Sequence, residues 1–309
     1  MKTYNKLLIA MAAIAMIFTT SCLDDSMVDI EVEDFAGSPY IVDFNEMPNN
    51  SGFIRRNLTL LGDPSEAVKA TFRVNLSSPW QLDTDLDVTV KLDNQAATEF
   101  VAGDDDWDVL PADKVGFSEV TVTIPAGERE AEFEVDFHTA GIAIADNYFV
   151  AFSITGTSNP DVLLSGNYGT QYVKIGVKNQ FEFEYSCDAL WLYQGSTNYS
   201  SLTTTEVTMS TISVSSVSLP YVYAGWGNMI IDIDVDNPQT IDGHANAYRA
   251  YVIDIDGYGP DTIENYDTYE GEEYNYCYKD SEGKWVFRVA MGWTPGSSTH
   301  VASAVYVQK

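Results

Sequence analysis

Cysteine, histidine and positive charge are all scarce in this chain of 309 residues. It holds three cysteines, three histidines, and 16 lysines and arginines against 46 aspartates and glutamates, for a net charge of −30. So acidic a chain has no field to hold the phosphates of a nucleic acid or an anionic membrane face. The histidines, His138, His244 and His300, fall in no metal-ligand spacing, and neither a GxSxG elbow nor a glycine-rich phosphate loop occurs. Carboxylates are so numerous that spacing cannot single out a pair suited to glycoside hydrolysis. The expectation is a protein without catalysis, cofactor or bound metal. Long apolar runs are missing too. Residues 7–18 (LLIAMAAIAMIF) are twelve apolar residues in a row, well short of the roughly 20 that cross a bilayer.

That run follows Lys2 and Lys6 and leads into Thr19-Thr20-Ser21-Cys22. A basic start, an apolar stretch and small residues up to a cysteine are the order of a signal peptide cut by a lipoprotein signal peptidase. Cleavage before Cys22 would remove residues 1–21 and leave acyl chains on Cys22 as the sole attachment to a membrane. It would also leave Cys187 and Cys277 as an even pair, either bridged, as is reasonable outside the cytoplasm, or two buried thiols. The segment removed holds two lysines and no acids, so the remaining 288 residues carry 14 basic against 46 acidic side chains, a net charge of −32. Residues 22–37 are acidic, lack periodicity and read as a tether. Asp24 and Asp25, directly behind Cys22, resemble the signal that sends lipoproteins of Bacteroides-type bacteria to the outer face of the outer membrane. A lipid-anchored, outward-facing location in the outer membrane is therefore expected.

From Ser38 onward the pattern is one of strands. In VKATFRVNL (68–76) the residues Ala70, Phe72, Val74 and Leu76 share one face, and similar alternation runs through 86–92, 119–124, 131–137, 148–154 and 172–177. Period-two runs bounded by Gly, Pro, Asp and Asn are the mark of antiparallel sheets. The same pattern continues after a seam at Val177-Lys178-Asn179-Gln180. The expected fold class is all-β: an immunoglobulin-like β-sandwich over 38–180, then a second β-sandwich or β-barrel over 181–309. No helix of several turns is expected.

The succession ATFRVNLS (70–77), DVTVKLD (87–93), a long acidic loop, Val109-Leu110-Pro111-Ala112 and Ile124-Pro125-Ala126-Gly127-Glu128 resembles a domain of unknown function. That domain stands at the front of many Bacteroides-type surface lipoproteins, often beside SusC/SusD-like transport systems and ahead of some family 18 glycoside hydrolases. The resemblance covers about residues 35–180 and implies a part in handling extracellular glycans, with a SusC/SusD-like pair as partner; it carries no catalytic residues. The same residues also resemble Calx-beta modules, which bind calcium through acidic loops. The last strand of this domain ends Val177-Lys178-Asn179 without the acids of that site, and Asp104-Asp105-Asp106 reads as a solvated turn.

Residues 181–309 hold four of the six tryptophans and fourteen of the nineteen tyrosines. Flat rings with a polar tip suit the C–H faces and hydroxyls of sugars, although strand packing also draws on aromatics. Trp191, Tyr193 and Trp285 lie within strand patterns and read as packing. Trp226, Trp293 and Tyr258 are flanked by glycines at expected turns, where loops on a rigid sandwich often carry function. These three are the candidate glycan-stacking residues. Tyr266, Tyr269 and Tyr274, in an acidic stretch, rank below them. Asp254, Asp256 and Asp261 lack the spacing of a calcium loop and read as a turn.

The expectation is a non-catalytic surface lipoprotein that binds extracellular glycan for a polysaccharide-utilisation system. The alternative is a structural or adhesive surface protein, fimbrial or protein-contacting, whose aromatics serve packing.

Overall fold

The structure, a computed structural model, describes residues 37–144, 147–193, 200–220, 227–294 and 299–309. Strands such as 68–77, 130–137 and 170–178 follow the period-two pattern, 149–154 and 285–293 are buried on almost every residue, and the fold is all-β. In β3 (Val68–Ser77) Ala70, Phe72, Val74 and Leu76 are buried while Lys69, Thr71 and Arg73 face water.

Two sheets pack face to face in the first part of the chain. One runs β7 (Glu130–Phe137), β3, β1 (Tyr40–Phe44), β9 (Val162–Leu164). The other runs β2 (Ile54–Thr59), β10 (Thr170–Lys178), β8 (Asn147–Thr157), β4 (Leu86–Leu92), β6 (Glu119–Ile124), and β5 (Trp107–Val109) joins β8. Their facing rows, among them Phe72, Val90, Phe137, Phe152 and Val173, form one core. Asn94–Val101 is a short α-helix, α1, which the sequence pattern does not announce. Asp93 caps it by accepting from the Ala96 amide at 3.1 Å. At eight residues with Ala97 buried, it is too short for a helical period to stand out.

The second part forms one large sheet. Its main strands are β11 (Glu184–Tyr193), β12 (Ser200–Thr208), β14 (Ser216–Pro220), β15 (Asn228–Ile233), β17 (His244–Ile255), β21 (Tyr276–Lys279), β22 (Trp285–Trp293) and β23 (His300–Gln308). They run in the order β12-β11-β23-β22-β21-β17-β15-β14, and β14 comes back against β12, so the sheet curls into a nearly closed barrel. Tyr185, Phe287, Met291, Trp293 and Tyr306 fill its interior. Asn179 holds the entry to this domain. Its Nδ2 donates to the carbonyls of Ser213 and Ser216, both at 2.9 Å, and its Oδ1 accepts from the Phe181 amide at 3.0 Å.

Cys187 and Cys277 are free and buried. The register explains why they are not bridged. Cys187 stands opposite Tyr306, Tyr306 opposite Phe287 and Phe287 opposite Cys277, so the two thiols share a level of the sheet three strands apart. With strands about 4.8 Å apart, that separation far exceeds the roughly 7 Å limit between the Cα atoms of a disulfide. Burial pushes the Cys187 thiol up to about 11 and raises that of Cys277 as well.

Candidate functional site

Antiparallel pairing brings the end of β11, the start of β12, the end of β14, the start of β15, the end of β17 and the β22–β23 junction to one end of the barrel. Of the three aromatics singled out in the sequence, Trp293 and Tyr258 belong to chain segments that meet this end. Trp226 itself lies outside the described residues, as does Cys22.

Trp293 is not a loop-tip residue. It closes β22, directly opposite His300 on β23, and is wholly buried. The glycines around it suggested a turn, but Gly292 is a strand residue paired with Val301. Inside the barrel end the His300 ring lies against Trp191 (centroids 5.5 Å apart, 27° between planes) and against Trp293 (5.6 Å, 36°). Removal from water holds the His300 imidazole below its ordinary pKa.

Tyr258 is exposed, at 52% of its surface, and its ring meets Trp293 edge-on at 5.6 Å. The turn that carries it is built by Asp254, whose carboxylate accepts from the amides of Gly257 (2.9 Å) and Gly259 (2.6 Å). Asp256, Gly257 and Gly259 all take positive φ here, a conformation glycine adopts without penalty. Asp254 therefore acts as a turn cap.

Beyond Tyr258 the chain forms β18 (Ile263–Asn265), paired antiparallel with residues 291–293 of β22, then leaves the sheet as a small hairpin, β19 (Thr268–Tyr269) and β20 (Glu272–Glu273). Glu270 and Gly271 at its tip both have positive φ, as a two-residue hairpin turn of type I′ requires. Two asparagines fasten its roots. Asn265 accepts from the Val252 amide at 3.0 Å and donates to the Val252 carbonyl at 2.9 Å. Asn275 does the same to Ala290, at 2.9 and 3.1 Å. Each side-chain amide thus supplies the two hydrogen bonds that a neighbouring strand would have supplied.

The excursion carries Tyr266, Tyr269 and Tyr274 as a half-buried row. Tyr266 and Tyr269 are near-parallel at 6.0 Å, and Tyr269 meets Tyr274 edge-on at 6.3 Å. Arg288 places its guanidinium 4.8 Å from the Tyr274 ring centre and pairs with Glu272. At the other end, the Tyr266 hydroxyl donates to Glu264 at 3.2 Å, and burial together with that carboxylate keeps its proton on by raising its pKa. Tyr266 lies over Gly292, where a side chain would collide with its hydroxyl.

Two concavities flank this row. One, of about 350 Å³, is lined by Asp261, Thr262, Glu264, Gly292, Thr294 and Thr299. The hydroxyls of Thr294 and Thr299 lie 3.0 Å apart there. The other, of about 240 Å³, lies between Tyr274 and the outer face of β11 and β23, with Asp188, Leu190 and Ser303. The arrangement offers aromatic faces, carboxylate acceptors and hydroxyls on one side of one domain. The structure brings together Tyr266, Tyr269 and Tyr274, which the sequence pattern ranks below the other three. The available signal is Glu270-Gly271 between two short tyrosine-bearing runs, a hairpin pattern.

A family model described only as a "-like, N-terminal domain" matches residues 38–161. A Bacteroides ovatus protein of unknown function shares the fold, at 11% identity over 88% of this chain and 95% of its own, with a TM-score of 0.55. A multidomain protein from the same species aligns at 14% identity over 86% and 94%, with a TM-score of 0.44. An auxiliary nutrient binding protein from Bacteroides thetaiotaomicron aligns at 12% identity over 85% and 94%, with a TM-score of 0.39. No curated protein matches.

Proposed function

We propose that this chain is a cell-surface lipoprotein, held to the outer membrane by lipid on Cys22, whose second domain binds extracellular glycan without cleaving it. Captured glycan would pass to a partner transporter pair of the SusC/SusD type. The observation that carries the reading is the row Tyr266–Tyr269–Tyr274 beside a cleft of carboxylates and threonine hydroxyls, with Tyr258 exposed at the same barrel end. Sugar rings offer C–H faces to such rings and O–H donors to such oxygens. The cleft acids Asp261 and Glu264 stand exposed, without the burial that poises a carboxylic acid to protonate a leaving group. Those acids, on a chain of net charge −30, favour neutral polysaccharides over sulfated or uronate-rich ones.

The test is affinity electrophoresis of the protein through a panel of neutral and acidic polysaccharides. At least one neutral polymer should retard it, and Tyr258→Ala or Tyr274→Ala should weaken binding about tenfold, the equivalent of one lost aromatic contact. No retardation across the panel rejects the reading. For the anchor, Cys22→Ser should abolish fatty-acid labelling and leave residues 1–21 uncleaved.

A further inference from the structure

The first domain holds a cleft that this function does not use. Strand β10 pairs with β2 from Val173 onward, so Thr170, Gln171 and Tyr172 are held by β8 on one side only. The β1–β2 connection passes their open side, and a cavity of about 250 Å³ remains there, with Glu46, Pro48 and Gly52 contributed by that connection. Phe44, Phe100, Tyr168 and Tyr172 supply its aromatic lining. Phe100 and Tyr172 are stacked, 4.1 Å between centroids and 14° between planes, and Tyr168 is 38% exposed.

Gln171 is the anomaly. It continues the inward row of Val173, Ile175 and Val177 and is only 5% exposed. Its Nε2 donates to the Glu46 carbonyl at 3.2 Å. That contact fixes the amide orientation, because a flipped amide would set two oxygens together. Its Oε1 is then a buried acceptor with no hydrogen-bond partner among the described residues. Buried polar groups are seldom left so, and one that is calls for an explanation. An O–H brought by a ligand would supply the missing donor.

We propose that this cleft binds one uncharged sugar ring, the end or a branch of a glycan. The volume suits a single ring. The exposed ring of Tyr168 suits its C–H face, and Gln171, which lines the cleft, carries an acceptor that lacks a donor. The lining includes no lysine or arginine, so it offers nothing to a phosphate or sulfate. The Glu46 carboxylate is already paired with Arg56, which leaves it less able to draw in a cation. The site lies in the other domain from the tyrosine row and does not depend on it.

The test is saturation-transfer NMR on the full chain with methyl glycosides of glucose, galactose, mannose, xylose and N-acetylglucosamine, and with tyramine as an aromatic cation of similar size. At least one glycoside should receive saturation. Gln171→Leu, which keeps an apolar-compatible shape in the inward row, and Tyr168→Ala, at an exposed position, should each weaken it about tenfold while leaving the melting temperature near wild type. Tyr258→Ala and Tyr274→Ala should leave it unchanged, so loss of polysaccharide retardation by those two variants reports on the second domain alone. The proposal is overturned if no glycoside is saturated, if tyramine alone is, or if folded Gln171→Leu and Tyr168→Ala bind as the wild type does.

Discussion

Asn275 and Ala290 exchange two hydrogen bonds, one to the Ala290 carbonyl at 3.1 Å and one from its amide at 2.9 Å, as two paired strand residues would. Both residues are fully buried. The side chain lets the backbone leave the sheet without abandoning the polar groups of β22, and so a tyrosine hairpin can stand on the barrel wall.

Removing that amide strands an N–H and a C=O together. Asn275→Ala should cost roughly 2–6 kcal/mol, since each of the two orphaned buried groups costs about 1–3 kcal/mol. Urea titration followed by tryptophan fluorescence measures it. Glycan retardation should fall in the same variant even where it is folded, because the root of the hairpin is loosened.

Gly292 leaves room for the Tyr266 hydroxyl and for nothing else. Gly292→Val should displace Tyr266 and destabilise the domain by about 1–3 kcal/mol, the usual cost of overpacking. A Gly292→Val, Tyr266→Ala double variant should recover most of that loss in thermal melts, whereas glycan affinity should stay low. Recovery of stability without recovery of binding separates the two roles of Tyr266.

His300 gives a pH dependence whose sign is fixed by burial. Its folded pKa is lowered, so the unfolded chain binds the proton more readily. The stability tied to the neutral ring is complete above the ordinary value of about 6.5 and is lost as pH falls through the lowered folded value. Thermal melts from about pH 8 to about pH 5 should show wild type losing ground to His300→Gln as the medium is acidified. A constant gap between the two proteins across that range would show that the ring does not titrate in this way.

The strands that face a solvent layer on one side and a core on the other were legible. In β3 and β10 every second residue is buried, and an alternating hydrophobic row is enough to fix both strand and face. Trp285 likewise packs into the barrel core as its strand pattern suggests. Trp293 was not legible, because glycine next to an aromatic can mark either a turn or, as at Gly292, a strand residue covered by another ring. The tyrosine row was hidden for a different reason. Its position depends on Asn265 and Asn275 finding Val252 and Ala290, partners 13 and 15 residues away in sequence, and nothing local in an acidic stretch shows that its asparagines point into a sheet.

The two thiols have a consequence for the medium this protein tolerates. Cys187 and Cys277 sit level with one another, separated by the rings of Tyr306 and Phe287 on the strands between them. Burial keeps both protonated, and a protonated thiol is a poor partner in exchange chemistry. The barrel therefore owes none of its cohesion to an oxidant. Once folded, the domain has no cross-link to lose, so it should keep its stability in a reducing or an oxidising medium.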